Sequence, residues 1–255
     1  MYIQEISIEI KSTVESDEAI DAFNLLMSFY QSSGQTQGKI ESQYFAGNQI
    51  VSLPYSLEKD ALNPENNNHY VDKQREIIEE LCKSKFQFKT IGTTYECWDG
   101  VCRCEKPDFY ILITNFLTIT SPITCGTCNY YVPLYRLPIY EDYGYRPILS
   151  WVTNYVSCDS LQMNCEVGER WALRQMQDVK SQLTKQGREI CQKIEDLSKI
   201  PTFYYLHNYR KPKKDNMFRL CPSCSNKWHL EEQLHSFYDF KCDVCKLIST
   251  KTMNS

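Results

Sequence analysis

Cys221-Pro222-Ser223-Cys224 and Cys242-Asp243-Val244-Cys245 are two C-x₂-C pairs with residues 225 to 241 between them. Two intervening residues let one tight turn aim both sulfurs at a single tetrahedral ion, and the stretch between the pairs is long enough for a hairpin. The four thiols therefore have the spacing of a zinc ribbon. His229 and His235 fall inside that stretch. Four thiolates already close the tetrahedron, so the histidines are expected at the surface or around the site rather than on the ion. A closed four-thiolate set keeps no position for substrate, and the metal it holds is structural.

A third pair, Cys125-Gly126-Thr127-Cys128, has a glycine suited to the tight turn and needs two further sulfurs. Cys158 and Cys165 are one choice; Cys102 and Cys104, with Cys97 nearby, are the other. Phe109 to Ile119 reads as a strand lying between Cys104 and Cys125. Eleven extended residues span about 36 Å, which would put those two groups at opposite ends of the strand. The expected second site is therefore Cys125, Cys128, Cys158 and Cys165. The plainer alternative makes Cys158 and Cys165 core thiols, a common fate of free cysteine. Cys82 and Cys191 sit on apolar helical faces and are expected in the core.

Thirteen cysteines in 255 residues suit a reducing compartment, where clustered thiols bind metal, better than a disulfide framework, for which the count is odd. Met1 leads directly into an alternating strand without a basic leader, and the longest apolar stretch is far too short to span a bilayer. A cytoplasmic protein without a membrane partner is the expectation. Net charge is −4, yet residues 201–255 hold nine of the 28 basic and five of the 32 acidic side chains. That is +4 at the C-terminal end, and the 19 basic and 27 acidic residues left over give −8 for the first 200.

Catalytic patterns are scarce. There are four histidines, no phosphate-cradling glycine loop and no nucleophile elbow, so a non-enzymatic protein with no evident small-molecule substrate is expected. Cys102 and Cys104 are the sole candidates for an activated nucleophile. Arg210, Lys211, Lys213, Lys214, Arg219 and Lys227 are interleaved with Tyr204, Tyr205, Tyr209, Phe218 and Trp228. Cations beside aromatic rings suit phosphate contact with base stacking, which makes nucleic acid one candidate partner. A solubilising charge run on a linker is the competing account.

These segments must be positioned by a larger body. Tyr2 to Ile10 alternates as a half-buried strand, and Ser16 to Tyr30 has helical spacing. Gln43 to Leu53 reads as one strand bent at Gly47, the asparagine run near residue 66 as a loop, and Tyr70 to Cys82 as a helix. Phe86 to Thr93, Phe109 to Ile119 and Phe203 to Leu206 are further strands. Ser121 to Tyr145 is a proline- and tyrosine-rich connector. Apolar residues stepping by threes and fours from Val167 to Leu197 predict one long helix, with Gly187 in its seam. The expected architecture is α+β: an antiparallel sheet with helices packed on one face, a long helix and a C-terminal zinc ribbon. The expected division is a body at residues 1–200, containing the internal zinc knuckle, and a basic linker with the ribbon at 201–255.

With the three C-x₂-C pairs, Ser121-Pro122-Ile123-Thr124, Val132-Pro133-Leu134-Tyr135-Arg136, the Cys158 to Cys165 segment and Gly187-Arg188-Glu189-Ile190-Cys191 in view, the chain resembles a bacterial family of zinc-ribbon-containing proteins of unknown function, described as candidates for nucleic-acid binding. The likeness runs from about Asp108 onward and is loose over the first hundred residues. It implies a bacterial cytosolic protein with a ribbon at Cys221, Cys224, Cys242 and Cys245, and it implies no reaction. The function expected is a zinc-binding protein that contacts nucleic acid through its basic C-terminal lobe. The alternative is an adaptor or immunity-type inhibitor whose acidic body neutralises a protein partner such as a toxin.

Overall fold

The structure is a computed structural model that describes residues 1–38, 43–94, 100–208 and 220–251. Contacts divide it into two units. The first comprises Met1–Val101, Ile119–Ser121 and Tyr131–Arg146, and the second Cys102–Thr118, Pro122–Tyr130 and Pro147–Ser255. Both are mixed α+β.

The first unit is built on β1 (Tyr2–Glu9), α1 (Ser16–Ser32), β2 (Gln43–Ala46), β3 (Gln49–Ser52), β4 (Tyr55–Ser56), α2 (His69–Cys82) and β5 (Gln87–Thr93). β1 is central, antiparallel to β5 on one side and to β3 and β4 on the other, with β2 outside β3. Its alternation sends Ile6 and Ile8 into a core with Phe23, Leu26 and Tyr30 of α1 and Val71 and Ile78 of α2. Cys82 lies fully buried in the same cluster. Residues 43 to 52 form a two-stranded hairpin rather than a bent strand, because Gly47 takes φ +66° at the turn and reverses the chain. The asparagine run does more than loop: the Asn68 side chain accepts from the Val71 N–H at 3.0 Å and caps α2.

The second unit contains β6 (Tyr110–Leu112), β7 (Ile123–Cys125), α3 (Arg146–Asn164), α4 (Glu169–Gln177), α5 (Gln182–Ser198), β8 (Thr202–Tyr205), β9 (His229–Leu234), β10 (Tyr238–Cys242) and β11 (Leu247–Ser249). One sheet runs β7-β6-β8-β11-β10-β9, with parallel pairing of β8 to both β6 and β11 and antiparallel pairing elsewhere. On one face Tyr204 packs against Trp151 of α3 and the Gly187 turn of α5. On the other, Phe203 clusters with Ile111, Tyr238 and Ile248.

Three expectations are corrected here. The long helix is broken into α4 and α5, because the Ser181 hydroxyl accepts from the Thr184 N–H (3.1 Å) and donates to the Gln175 carbonyl (2.6 Å), capping a new helix. A 19-residue helix, α3, begins where the connector was expected to end. The C-terminal hairpin is not a separate lobe: β11 pairs with β8, so the boundary expected at residue 200 falls inside one continuous sheet.

Candidate metal centres

Strand β6 is three residues long, not eleven, and this decides which thiols meet. The chain turns at Asn115 to Thr118, whose backbone closes a 3.2 Å hydrogen bond, and returns as β7 with Cys125 opposite Tyr110. The Gly126 N–H donates to the Phe109 carbonyl at 2.7 Å, and the Asp108 N–H to the Thr127 hydroxyl at 2.8 Å. The hairpin thereby folds residues 102 to 104 back onto the Cys125 turn. Cys102, Cys104, Cys125 and Cys128 present sulfurs that all lie within 4.8 Å of one another.

Cys158 and Cys165 take no part in this group. Cys158 is buried on α3, and its thiol is pushed up by that burial and by the adjacent Asp159 carboxylate. Cys165 follows the end of α3 with φ +57°, and its thiol donates to the Gln162 carbonyl at 3.2 Å. Seven residues at 1.5 Å rise each separate the two by about 10 Å along the helix, far more than two sulfurs on one ion allow. Cys97 lies outside the described residues.

The second group is Cys221, Cys224, Cys242 and Cys245, again with every sulfur within 4.8 Å of the others. Cys224 Sγ and Cys242 Sγ are 3.6 Å apart. Tetrahedral zinc with bonds near 2.3 Å places its sulfurs about 3.8 Å apart, whereas a disulfide needs about 2.05 Å. The spacing fits four ligands around one ion, and all these cysteines are free thiols.

The turns after Cys125 and Cys221 are built alike. After Cys125, the Asn129 N–H returns to the Cys125 carbonyl (2.7 Å) and the Cys125 N–H reaches the Tyr130 carbonyl (2.8 Å). After Cys221, Ser225 and Asn226 repeat those bonds at 2.8 and 2.7 Å. The residue four beyond the first cysteine of each of the three C-x₂-C pairs is left-handed: Asn129 at φ +60°, Ser225 at +61° and Lys246 at +52°. Backbone N–H groups also point at sulfur, Cys104 N to Cys102 Sγ and Cys245 N to Cys242 Sγ, each at 3.4 Å.

Those amides shape the thiol acidities. The Asn226 N–H leads the lowering of Cys224 to about 7. Burial pushes Cys125 up, but the N–H groups of Cys128 and Thr127 and the neighbouring thiols outweigh it, and its net direction is down. Burial raises Cys128 and Cys245, and raises Cys242 to about 12. A bare set of four close thiols thus ionises in part, and a bound cation supplies the charge that lets all four become thiolates.

The two groups share one scaffold. His235, at the turn between β9 and β10, places Nε2 2.7 Å from the Gly126 carbonyl in the first cysteine turn. Lys241, next to ligand candidate Cys242, lies over Phe109 and Phe203 with Nζ 5.1 and 4.5 Å from the ring centroids. His229 sits on β9 against Phe240. Both histidines surround the site and neither joins a sulfur group. Of the candidate nucleic-acid contacts, Lys227 is exposed, while Arg210, Lys211, Lys213, Lys214 and Arg219 lie outside the described residues.

Comparison with known proteins gives the chain its relatives. A Haemophilus influenzae protein described as an uncharacterized protein is 31% identical over 250 residues, covering 96% of this chain and 95% of that one. The chain belongs to the family of that protein. A second uncharacterized protein of Haemophilus influenzae is 33% identical over 168 residues, 66% of this chain and 82% of the relative. Three family models match in succession, each described as a domain of unknown function: DUF8589 over residues 1–92, DUF2310 over 104–207 and DUF8594 over 210–255. The DUF2310 match contains Cys104, Cys125 and Cys128, and the DUF8594 match all four C-terminal thiols. No solved structure matches at a significant level. Among the described residues no helix is long and apolar enough to cross a membrane.

The first thiol group makes a direct prediction. Changing Cys158 to alanine should leave the bound-metal count of the purified protein at its wild-type value, whereas the Cys102→Ser/Cys104→Ser pair should lower it by one. Loss of metal from Cys158→Ala would restore the α3 thiols as ligands.

Proposed function

We propose that this is a non-enzymatic zinc protein of the cytoplasm in which two closed four-thiolate centres hold the second unit together. The observation that carries this reading is the pair of four-sulfur groups, each confined within 4.8 Å, with one backbone turn of the same build in each, after Cys125 and after Cys221. Sulfur-only tetrahedral sets select zinc or iron, and both groups fill all four positions with protein, which suits a structural ion and leaves no open ligand site for substrate. Elemental analysis with an absorption spectrum tests it. Two zincs per chain and no visible band are expected; iron, with its thiolate charge-transfer colour, or a metal-free protein would overturn the assignment.

The reading extends to nucleic acid as the partner, through Arg210, Lys211, Lys213, Lys214 and Arg219. Support comes from five cations within ten residues and from how the flanking chain is held. The Leu206 carbonyl accepts from the Ser249 hydroxyl (2.7 Å), and the Asn208 amide donates to the Thr250 carbonyl (2.9 Å). Leu220 bridges to Lys227 on the far side. Exposed Lys227 adds a sixth cation, whereas Lys241, Lys246 and Lys251 contribute less because they are paired with Asp243, Glu195 and Asp239. With four to five phosphates neutralised, log affinity for single-stranded DNA should fall against log salt with a slope of about −3. Charge reversal at Lys211, Lys213 and Lys214 should abolish binding with the zinc content intact. Unchanged affinity after that reversal would remove this segment as the site.

A further inference from the structure

The first unit contains a cleft of about 630 Å³, within the roughly 300–1,000 Å³ range of small-molecule sites, whose chemistry neither the metal centres nor the basic segment uses. It opens between the end of α1, the asparagine loop leading into α2, and residues 135 to 145. Its lining includes three tyrosines (Tyr70, Tyr135 and Tyr145), His69, and two carboxylates, Glu65 and Asp142, and no lysine or arginine. Tyr143 stacks on Tyr70 with centroids 4.6 Å apart, and His69 lies 3.9 Å from Tyr70.

The tyrosine hydroxyls on the inner side are already committed. Tyr135 donates to Glu58 at 2.6 Å and Tyr145 to the Leu137 carbonyl at 2.6 Å, so these two offer the cleft mainly ring surface. The asparagine amides are occupied too: Asn66 donates to the Asp60 carbonyl, Asn67 to Asp72, and Asn68 caps α2. Glu65 and Asp142 make no ion pair among the described residues, while nearby Arg136 is matched by Glu58. The N-terminus of α2 faces the same region and carries a partial charge of about +0.5. Two full negative charges outweigh it, and Asp72 in the first turn offsets it further. The cleft is therefore aromatic, anionic and open, which disfavours phosphates and nucleotides.

We propose that this cleft binds an organic cation, a guanidinium or alkylammonium group on an apolar stem, whose charge sits between Glu65 and Asp142 and whose stem lies against Tyr70 and its neighbours. Aromatic faces and carboxylates together hold such a group better than either does alone. The cation is either a free amine or an arginine or lysine side chain of a partner protein. The proposal is independent of the zinc reading, because no thiol of either metal group belongs to this unit.

The test uses the full-length zinc-loaded protein, labelled for amide NMR and titrated with agmatine, with acetyl-Gly-Arg-Gly-amide, with the same peptide carrying citrulline for arginine, and with AMP. Saturable shifts at the His69, Tyr70 and Gly144 amides are expected with the two cations. Tighter binding of the peptide assigns the source to a protein side chain, and tighter binding of agmatine to a free amine. The Glu65→Gln/Asp142→Asn double variant, changed at two exposed side chains, should weaken binding by about tenfold or more with an unchanged Tm. Citrulline binding equal to arginine, preference for AMP, no shift at millimolar probe, or full affinity in the double variant would each overturn the proposal.

Discussion

Stripping the metal with a chelator at neutral pH under reducing conditions is expected to melt the second unit while the first stays folded. Structural zinc supplies about 10–16 kcal/mol to the sites it closes, as much as or more than the whole stability of an ordinary domain, about 5–15 kcal/mol. The C-terminal hairpin leans on that energy: its strands β9 to β11 are short, and Cys221 and Cys242 are themselves among its buried residues. The Gly126 turn and the His235 turn touch, so losing either ion loosens the support of the other. The first unit's core of Ile6, Ile8, Phe23, Leu26, Tyr30, Val71 and Ile78 owes nothing to a metal. Amide NMR should lose the dispersed signals of residues 102–130 and 220–251, keep those of β1 and α1, and recover the rest on adding zinc. A chelated protein with its full spectrum would mean that packing alone holds the cysteine turns.

Away from the metal centres, Gly187→Ala should also cost the protein a large share of its stability. In a helix interior this change normally gains about 1 kcal/mol, because glycine loses more backbone freedom on folding. Here a Cβ would stand 2.1 Å from the Tyr204 ring and 2.9 Å from Trp151 Nε1. Both rings are buried, and Trp151 is further fixed by donating to the Leu183 carbonyl at 3.2 Å. Overpacking of this severity costs on the order of 3 kcal/mol and outweighs the helical gain. Urea denaturation of the zinc-loaded variant should show a clear net loss, and a variant more stable than wild type would mean that α5 does not approach β8 this closely.

Why some of this was legible in the sequence and some was not follows from which interactions are local. The paired cysteines of the C-terminal group need only a tight turn and a hairpin, so their spacing predicted the group. The helix at 16–32 and strands β1, β5 and β8 announced themselves by apolar period. The partners of Cys125 and Cys128 depended on where β6 ends, and an apolar run of eleven residues gives no sign that only three are paired. The turn at Asn115 is local but lay hidden inside the apolar run, and the Thr127 to Asp108 contact that completes the answer is tertiary. The break between α4 and α5 was written in Ser181, whose capping role was masked by an unbroken apolar step. Gly187 was read as a seam position, but its reason is the Tyr204 ring from a strand 17 residues later. The cleft of the first unit joins segments some 70 residues apart, which no local pattern reveals.

Native mass spectrometry of the wild type beside Cys102→Ser/Cys104→Ser tests the account most directly. Two zincs in the wild type and one in the double variant, with the C-terminal four-thiolate set still loaded, is the expected result. A wild type that carries one zinc, or a double variant that keeps two, would contradict it.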